Sequence, residues 1–306
     1  MRDVVIVGAG AMGCLFAARL AEAGTQVTLV DVDRARLEAI ARDGITLADD
    51  RGVRSVAVRA SLAAQVTGPA DLVLLFTKGM HSRGAIASVA HLVGERNHAL
   101  TLQNGIGNAE AIAEIFPAGQ VLIGVTDLPA DLEAPTRVSS HGHGSVRVGG
   151  YRSAGEAGAR AVASLFAACG IDTSFDADVQ SAVWEKVAFN AALNAMATVT
   201  GLTVGGMDTE PGRRIAAAIV AEVVATAAAK GINVDADRIN SKVDFALTNH
   251  RQHKASMLQD RLAGRRTEIE SINGAVAREA ATLGVPTPVT ATLADLVRMN
   301  EPGDVG

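Results

Sequence analysis

An apolar run from Val4 to Val7 ends in Gly8-Ala9-Gly10-Ala11-Met12-Gly13, and no other feature limits the fold of this chain as tightly. The pattern Gly-x-Gly-x-x-Gly is followed by a predicted helix over residues 11–23, which Gly24 closes as a C-terminal cap, and by a second apolar strand over 27–30. Strand, glycine turn, helix and strand within about thirty residues make a βαβ unit, whose strands run parallel. In such a unit Gly8 permits the tight turn, Gly10 lets the backbone approach a pyrophosphate, and Gly13 lets helix and strand pack closely. Ala11 and Met12 open the helix, where free N–H groups and the positive dipole end favour phosphate. The bland alternative is a glycine turn that only joins strand to helix.

The acid at the end of the second strand is Asp31. A carboxylate there accepts both ribose hydroxyls of NAD and repels the 2′-phosphate of NADP, so the sequence leans toward NADH. Arg34 and Arg36 follow closely and offer a phosphate partner instead, and Asp33 is a second candidate for the ribose.

Further apolar runs recur at 71–76, 98–102 and 120–124, with helical patterns at 83–93 and 108–116 between them. Continuous apolarity is what strands covered on both faces show. From 129 to 151 the texture changes: a polar, Gly-rich centre at 139–144 lies between alternating segments, which predicts a hairpin or an antiparallel edge added to the sheet. A helix over 154–168 and a short strand over 171–175 follow. Beyond residue 178 the pattern is all-helical, with helices predicted at 179–200, 213–230, 236–247, 267–283 and 288–299. Thr267-x-x-Glu270 has the form of a capping box, placing the start of the fourth of these at Thr267. The reading is therefore an α/β chain of two domains: a Rossmann-like doubly wound sheet over 1–178 and an all-helical domain over 179–306.

Composition narrows the function classes. With 28 Lys and Arg against 33 Asp and Glu, the net charge of -5 leaves no basic footprint for nucleic acid. Aromatics are 3% of the chain, so its interior is built from small and branched aliphatic residues. No signal peptide is read at the N-terminus, and the most apolar long stretch, 215–231, is interrupted by Glu222 and Lys230 and is short of a membrane span. Cys14 and Cys169 have no metal spacing; paired and unpaired states are both open, and reduced thiols fit the cytoplasmic location that the sequence predicts. Monomer and homodimer both remain open.

In the helical half, Lys186, Asn190 and Asn194 stand at i, i+4 and i+8, so they share one stripe of a helix whose other residues are mostly apolar. Three polar groups in line within such a helix are costly unless partnered, and a stripe of this kind suits a cavity holding a polar ligand. The alternative is a buried polar seam. Lys78 follows a core strand at the end where open α/β sheets place ligands, although a surface lysine is the plain reading. His141 and His143 lie in the Gly-rich turn with no third ligand nearby, so no metal is predicted. His250 and His253, three apart on a predicted helix, face either a substrate carboxylate or solvent.

The glycine loop, Thr77-Lys78, Gln103-Asn104-Gly105-Ile106-Gly107, Trp184-x-Lys186-x-x-x-Asn190-x-x-x-Asn194, Ala255-Ser256-Met257-Leu258, Thr267-Glu268-Ile269 with Asn273-Gly274, and Gly284-Val-Pro-Thr-Pro288 together resemble the ketopantoate reductase (2-dehydropantoate 2-reductase) family over essentially the whole chain. The resemblance implies hydride transfer from NAD(P)H to the C2 carbonyl of 2-dehydropantoate, a step of pantothenate biosynthesis, in a cleft between a Rossmann domain and a helical one. It implies that Lys186 is the general acid at the ketone oxygen and that Glu268 orients the reacting groups. It places Ser256 near the substrate carboxylate, Asn190 and Asn194 at the substrate's polar end, and Lys78 and Asn104 on the cofactor side. The family prefers NADPH and often carries an arginine where this chain reads Asp31-Val-Asp-Arg34. Before Ser256, His253 and Ala255 stand where the family often has asparagine and serine. Relatives of the same fold act as NAD-dependent D-2-hydroxyacid dehydrogenases on bulkier 2-oxo acids, and a dinucleotide-binding sensor without turnover is the rival of another class.

Overall fold

The computed structural model describes residues 1–302; residues 303–306, with which the predicted helical domain ends, lie outside the described residues. Contacts divide the chain into two compact units, one formed by Met1–Gln103 and Asn108–Val179, the other by Asn104–Gly107 and the chain from Gln180 onward.

The first unit begins β1 (Asp3–Val7), α1 (Ala11–Glu22), β2 (Gln26–Val30), α2 (Arg34–Asp43). It continues β3 (Ile45–Asp49), β4 (Gly52–Val56), β5 (Arg59–Ser61), β6 (Leu72–Leu75), α3 (Ser82–Ser88), β7 (His98–Thr101), α4 (Asn108–Ala113) and β8 (Val121–Thr126). It closes with β9 (Asp131–Ala134), β10 (Arg137–Ser140), β11 (Val146–Gly150), α5 (Glu156–Ala168) and β12 (Thr173–Phe175). Eight strands form the main sheet in the order β12-β11-β8-β7-β6-β1-β2-β5, and only the β11–β8 pair is antiparallel. The chain runs outward from β1 through β2 to β5, then returns to β6 on the other side of β1. Such a reversal opens a crevice at the C-terminal ends of β1 and β6, where doubly wound sheets take ligands. All four residues of β6 are buried, which accounts for its unbroken apolar sequence.

Of the two alternatives for residues 129–151, the hairpin does not form, and an antiparallel strand is added to the main sheet instead. The segments flanking the Gly-rich turn at 139–144 do not form a hairpin with each other. β10 joins a separate four-stranded sheet, β4-β3-β10-β9, in which it runs parallel to β3. β11 instead supplies the antiparallel strand of the main sheet against β8. Buried Val138 on one side and buried Val146 and Val148 on the other commit the two segments to different sheets. Sequence pattern alone also does not mark α2 or the small sheet.

The second unit is helical: α6 (Val179–Thr200), α7 (Glu210–Ala229), α8 (Ala236–Asn249), α9 (Ser256–Leu262), α10 (Asn273–Leu283) and α11 (Pro288–Arg298). α6 is the central element, because Trp184, Val187, Ala188, Ala191, Ala192, Ala195 and Met196 are all buried among side chains of α7, α8, α9 and α10. Its alanines let neighbouring helices approach closely. The histidine pair is not on a helix, since α8 ends at Asn249 and His250 is its cap. The loop leaves helical geometry because the Gly205 and Val204 N–H groups take the carbonyls of Arg251 and His253.

Candidate active site

The glycine loop fits a dinucleotide by three local observations. Gly8 sits at φ +110°, and a Cβ there would lie 2.8 Å from the Phe76 carbonyl carbon and the Thr77 nitrogen, so the loop is pressed against the end of β6. A Cβ on Gly13 would lie 1.8 Å from the Gly8 carbonyl oxygen, so α1 packs directly on the loop. At Gly10 a Cβ would meet nothing within 4 Å, and no side chain caps the helix that begins there. The first turn of α1 therefore presents uncapped N–H groups to open space, a cradle for a pyrophosphate. Cys14 lies one turn in, and burial pushes its thiol up to about 12. Both cysteines are free and buried.

Asp31 is fixed beside this loop. Its carboxylate accepts from the Ala9 N–H at 2.6 Å and from the N–H groups of Val32 and Asp33 at 2.8 and 3.0 Å. Asp33 has another task, because it caps α2 by accepting from the Arg36 N–H at 3.1 Å. Arg34 is exposed at the first position of α2, while Arg36 turns back and donates to the Ala9 carbonyl at 3.1 Å. The Ala9 peptide is thus held from both sides, its N–H by an acid and its carbonyl by a base.

Lys78, half-buried, follows β6 and the Phe76-Thr77 segment that touches Gly8. The structure therefore gathers the glycine loop, Asp31 and the Thr77-Lys78 turn at one edge of the main sheet. Gln103 ties that edge together: its side-chain amide donates to the Thr77 carbonyl at 2.6 Å and to Ser82 Oγ at 2.9 Å, and its oxygen accepts from Thr101 Oγ1 at 2.9 Å. Sequence reasoning assigned Gln103 no role, although it stands inside a quoted motif. Asn104–Gly107 clusters with the helical unit, where the Ile106 N–H donates to the Ser271 carbonyl at 2.9 Å. Gly105, at φ +87°, has no alternative there, since a Cβ would lie 2.1 Å from the Ser271 oxygen.

On α6 the stripe is realised: Lys186 and Asn190 are half-buried and Asn194 is buried, with the Thr198 hydroxyl on the Asn194 carbonyl at 2.8 Å extending the line. About 100° round the helix, Glu185 is 3% exposed and is held by Arg238 of α8 at 3.1 Å. Ser256 is the first residue of α9 and is exposed.

Glu268 lies in a different setting from the one predicted. The helix does not start at Thr267; residues 267–272 form turns and α10 begins at Asn273. A capping box needs the Glu270 carboxylate on the Thr267 N–H. Here that N–H donates to Glu301 at 2.8 Å, while Glu270 is bound by Arg298 Nε and Arg278 Nη1 at 2.6 Å each. These arginines hold the Glu270 carboxyl down at about 2. Glu268 is 7% exposed within this turn. Asn273 is fully buried and donates to the Ala191 carbonyl of α6 at 3.1 Å, joining the turn to the stripe's helix.

Elsewhere, His141 pairs with Asp50 at 3.1 Å on the surface. Among the described residues no group of three or more His, Cys, Asp or Glu side chains could hold a metal ion. Among them, too, no helix is long and apolar enough to cross a membrane.

Two family profiles cover almost all of this architecture: "Ketopantoate reductase PanE/ApbA" matches residues 4–153, and the C-terminal profile of the same family matches residues 178–301. The chain belongs to the ketopantoate reductase family. It is an oxidoreductase of the 2-dehydropantoate 2-reductase type, as its curated relatives are. A 2-dehydropantoate 2-reductase of Halobacterium salinarum is 35% identical over 97% of this chain and 98% of its own length. One of Pyrococcus horikoshii is 30% identical over 97% of both. Among solved structures, D-mandelate dehydrogenase with NADH and anilino(oxo)acetate superposes with a TM-score of 0.93 at 28% identity, covering 97% of this chain and 98% of that one. The 2-dehydropantoate 2-reductase of Geobacter metallireducens gives 0.90 at 29% identity, covering 97% and 99%.

Proposed function

We propose that this chain reduces 2-dehydropantoate to pantoate with a reduced nicotinamide dinucleotide, and that Lys186 is the general acid. The observation that carries the reading is the full-length likeness to curated 2-dehydropantoate 2-reductases, which spans both the glycine loop and the Lys186 stripe. In this reading residues 1–178 hold the dinucleotide and residues 179–306 hold the 2-oxo acid.

Gly8, Gly10, Ala11, Met12 and Gly13 would receive the pyrophosphate, with Asp31 on the ribose and Lys78 and Asn104 on the nicotinamide side. When bound, the reduced nicotinamide supplies a hydride to the ketone carbon; the remaining work falls to side chains. As the carbonyl oxygen gains negative charge, the Lys186 ammonium stabilises it and gives it a proton. Glu268, a carboxylate in a buried turn, keeps that ammonium charged and oriented. Asn190 and Asn194 donate to the substrate's polar groups from the same helical stripe, and Ser256 binds its carboxylate. We place the enzyme in the cytoplasm, a compartment in which thiols such as the buried Cys14 and Cys169 stay reduced.

A second reading is favoured by two particular observations. Asp31, at the end of β2, has its carboxylate fixed by three backbone N–H groups, and a carboxylate set there to accept from a ribose would suit NADH. The D-mandelate dehydrogenase likeness points to a bulkier 2-oxo acid, with His253 and Ala255 altering the segment before Ser256. The sensor reading has no observation in its favour. Steady-state kcat/KM for ketopantoate and for aryl 2-oxo acids, each with NADH and NADPH, decides. The primary reading expects ketopantoate to lead; a lead of at least about tenfold for an aryl substrate would replace it with the second.

A further inference from the structure

The turn that carries Glu268 is anchored from the far end of the chain. Thr267 is 3% exposed, and both of its donors, the backbone N–H and the hydroxyl, go to one oxygen of Glu301. Thirty-four residues separate the two in sequence. Glu301 is itself 12% exposed and is flanked by Arg266 at 3.4 Å. The Ile269 N–H then folds back on the Thr267 hydroxyl at 3.3 Å. Arg298 and Arg278 occupy Glu270, and Asn273 ties the end of the turn to the Ala191 carbonyl.

These bonds explain why a local helix-start signal is not obeyed. Thr267 and Glu270 would satisfy each other in a capping box, starting α10 five residues early. Glu268 would then stand on the first turn of a helix rather than in an irregular turn, and its carboxylate would leave its present place. Glu301 opposes this by taking the Thr267 N–H, which the box would give to Glu270, and by fixing the Thr267 hydroxyl, whose oxygen accepts from the Ile269 N–H and not from the Glu270 N–H that the box would use.

We infer that Glu301 is a positioning residue: by holding Thr267 out of the helix, it fixes where the Glu268 carboxylate sits. The inference rests on the role proposed above for Glu268. Glu301 binds Thr267 and Arg266, so in this inference it acts on the reaction through Thr267.

The test uses the full chain with Glu301→Ala, Glu301→Gln and Glu268→Gln, assayed well below each variant's melting temperature with cofactor affinity measured separately. The glutamine at 301 keeps an oxygen that accepts from both Thr267 donors, whereas alanine frees them. Glu301→Ala is expected to lower kcat about ten- to a hundredfold while cofactor Kd stays within about twofold. Glu301→Gln is expected to retain kcat within about threefold. A structural role alone would lower the melting temperature without this split. Parental kcat in Glu301→Ala, or equal damage in both variants, overturns the inference. If Glu268→Gln is impaired and Glu301→Ala is not, only the positioning claim falls. If Glu268→Gln is itself unimpaired, the role of Glu268 falls and this inference with it. Should Glu301→Ala not fold, Thr267→Val keeps the N–H bond and loses the hydroxyl; a kcat loss of a few fold supports the inference, and parental kcat overturns it.

Discussion

The glycine loop of the first unit and the Glu268 turn of the second each sit where a helix start is written in the sequence, yet only one obeys. At Gly8–Gly13 every partner is close: β1 runs straight into the turn, and the Gly8 N–H meets the neighbouring strand at the Val30 carbonyl. At Thr267 the signal is as clear, but a glutamate 34 residues away competes for the same backbone N–H and wins. A side-chain cap contributes about 1 kcal/mol, and a hydrogen bond to a charged group about 1.5–3 kcal/mol. Glu301 gives Thr267 two bonds at once while Arg298 and Arg278 already occupy Glu270, so the distant partner outweighs the local box. The two regions also differ in proposed task, the loop holding a cofactor and the stripe and turn running chemistry.

That division can be broken, most sharply at the stripe. Lys186→Ala should lower kcat by about 10²–10⁴ with cofactor Kd little changed; equal losses in both, by stopped-flow turnover and cofactor titration, would merge the two tasks. Gly13→Ala should act in the opposite sense. Its Cβ would meet the Gly8 oxygen at 1.8 Å, so α1 must shift from the loop. Calorimetric titration should show cofactor binding weakened by at least about tenfold; a kcat loss with normal binding would count against the division. A smaller effect is expected at Asp31→Ala, which removes the charge opposing a 2′-phosphate. The NADPH/NADH ratio of kcat/KM should rise about tenfold, and an unchanged ratio would sink the ribose assignment.

The smallest effect concerns stability in the first unit. Arg54 and the Arg51 N–H hold the buried Asp49 carboxyl down at about 2, from an ordinary value of 3.8. A depressed carboxyl stabilises the fold above its unfolded value, and that contribution is lost as pH falls from 3.8 toward 2. It amounts to about 2 kcal/mol. Asp49→Asn should therefore lower the melting temperature at pH 7 and narrow its difference from the parent near pH 2. A constant difference at all pH values would contradict this sign.

The sequence was most legible where periodicity is local. The βαβ unit, the buried β6 strand and the full span of α6 follow from apolar runs and their spacing, and so does the line of Lys186, Asn190 and Asn194. What escaped depends on distant partners. β3 pairs in parallel with β10 across some ninety residues, and no pattern within either segment encodes that choice. Gln103 sits in a recognisable motif, but its bonds to Thr77 and Ser82 exist only once three loops converge. His250 and His253 lie off the helix because the Gly205 and Val204 backbone claims their loop.

The account depends on a proton given by Lys186 to the ketone oxygen. A crystal structure of the enzyme with reduced cofactor and an unreactive 2-oxo acid analogue tests this most directly. It should place Lys186 Nζ within about 3 Å of the keto oxygen. A different donor at that oxygen, with the Lys186 amine turned elsewhere, would contradict the mechanism.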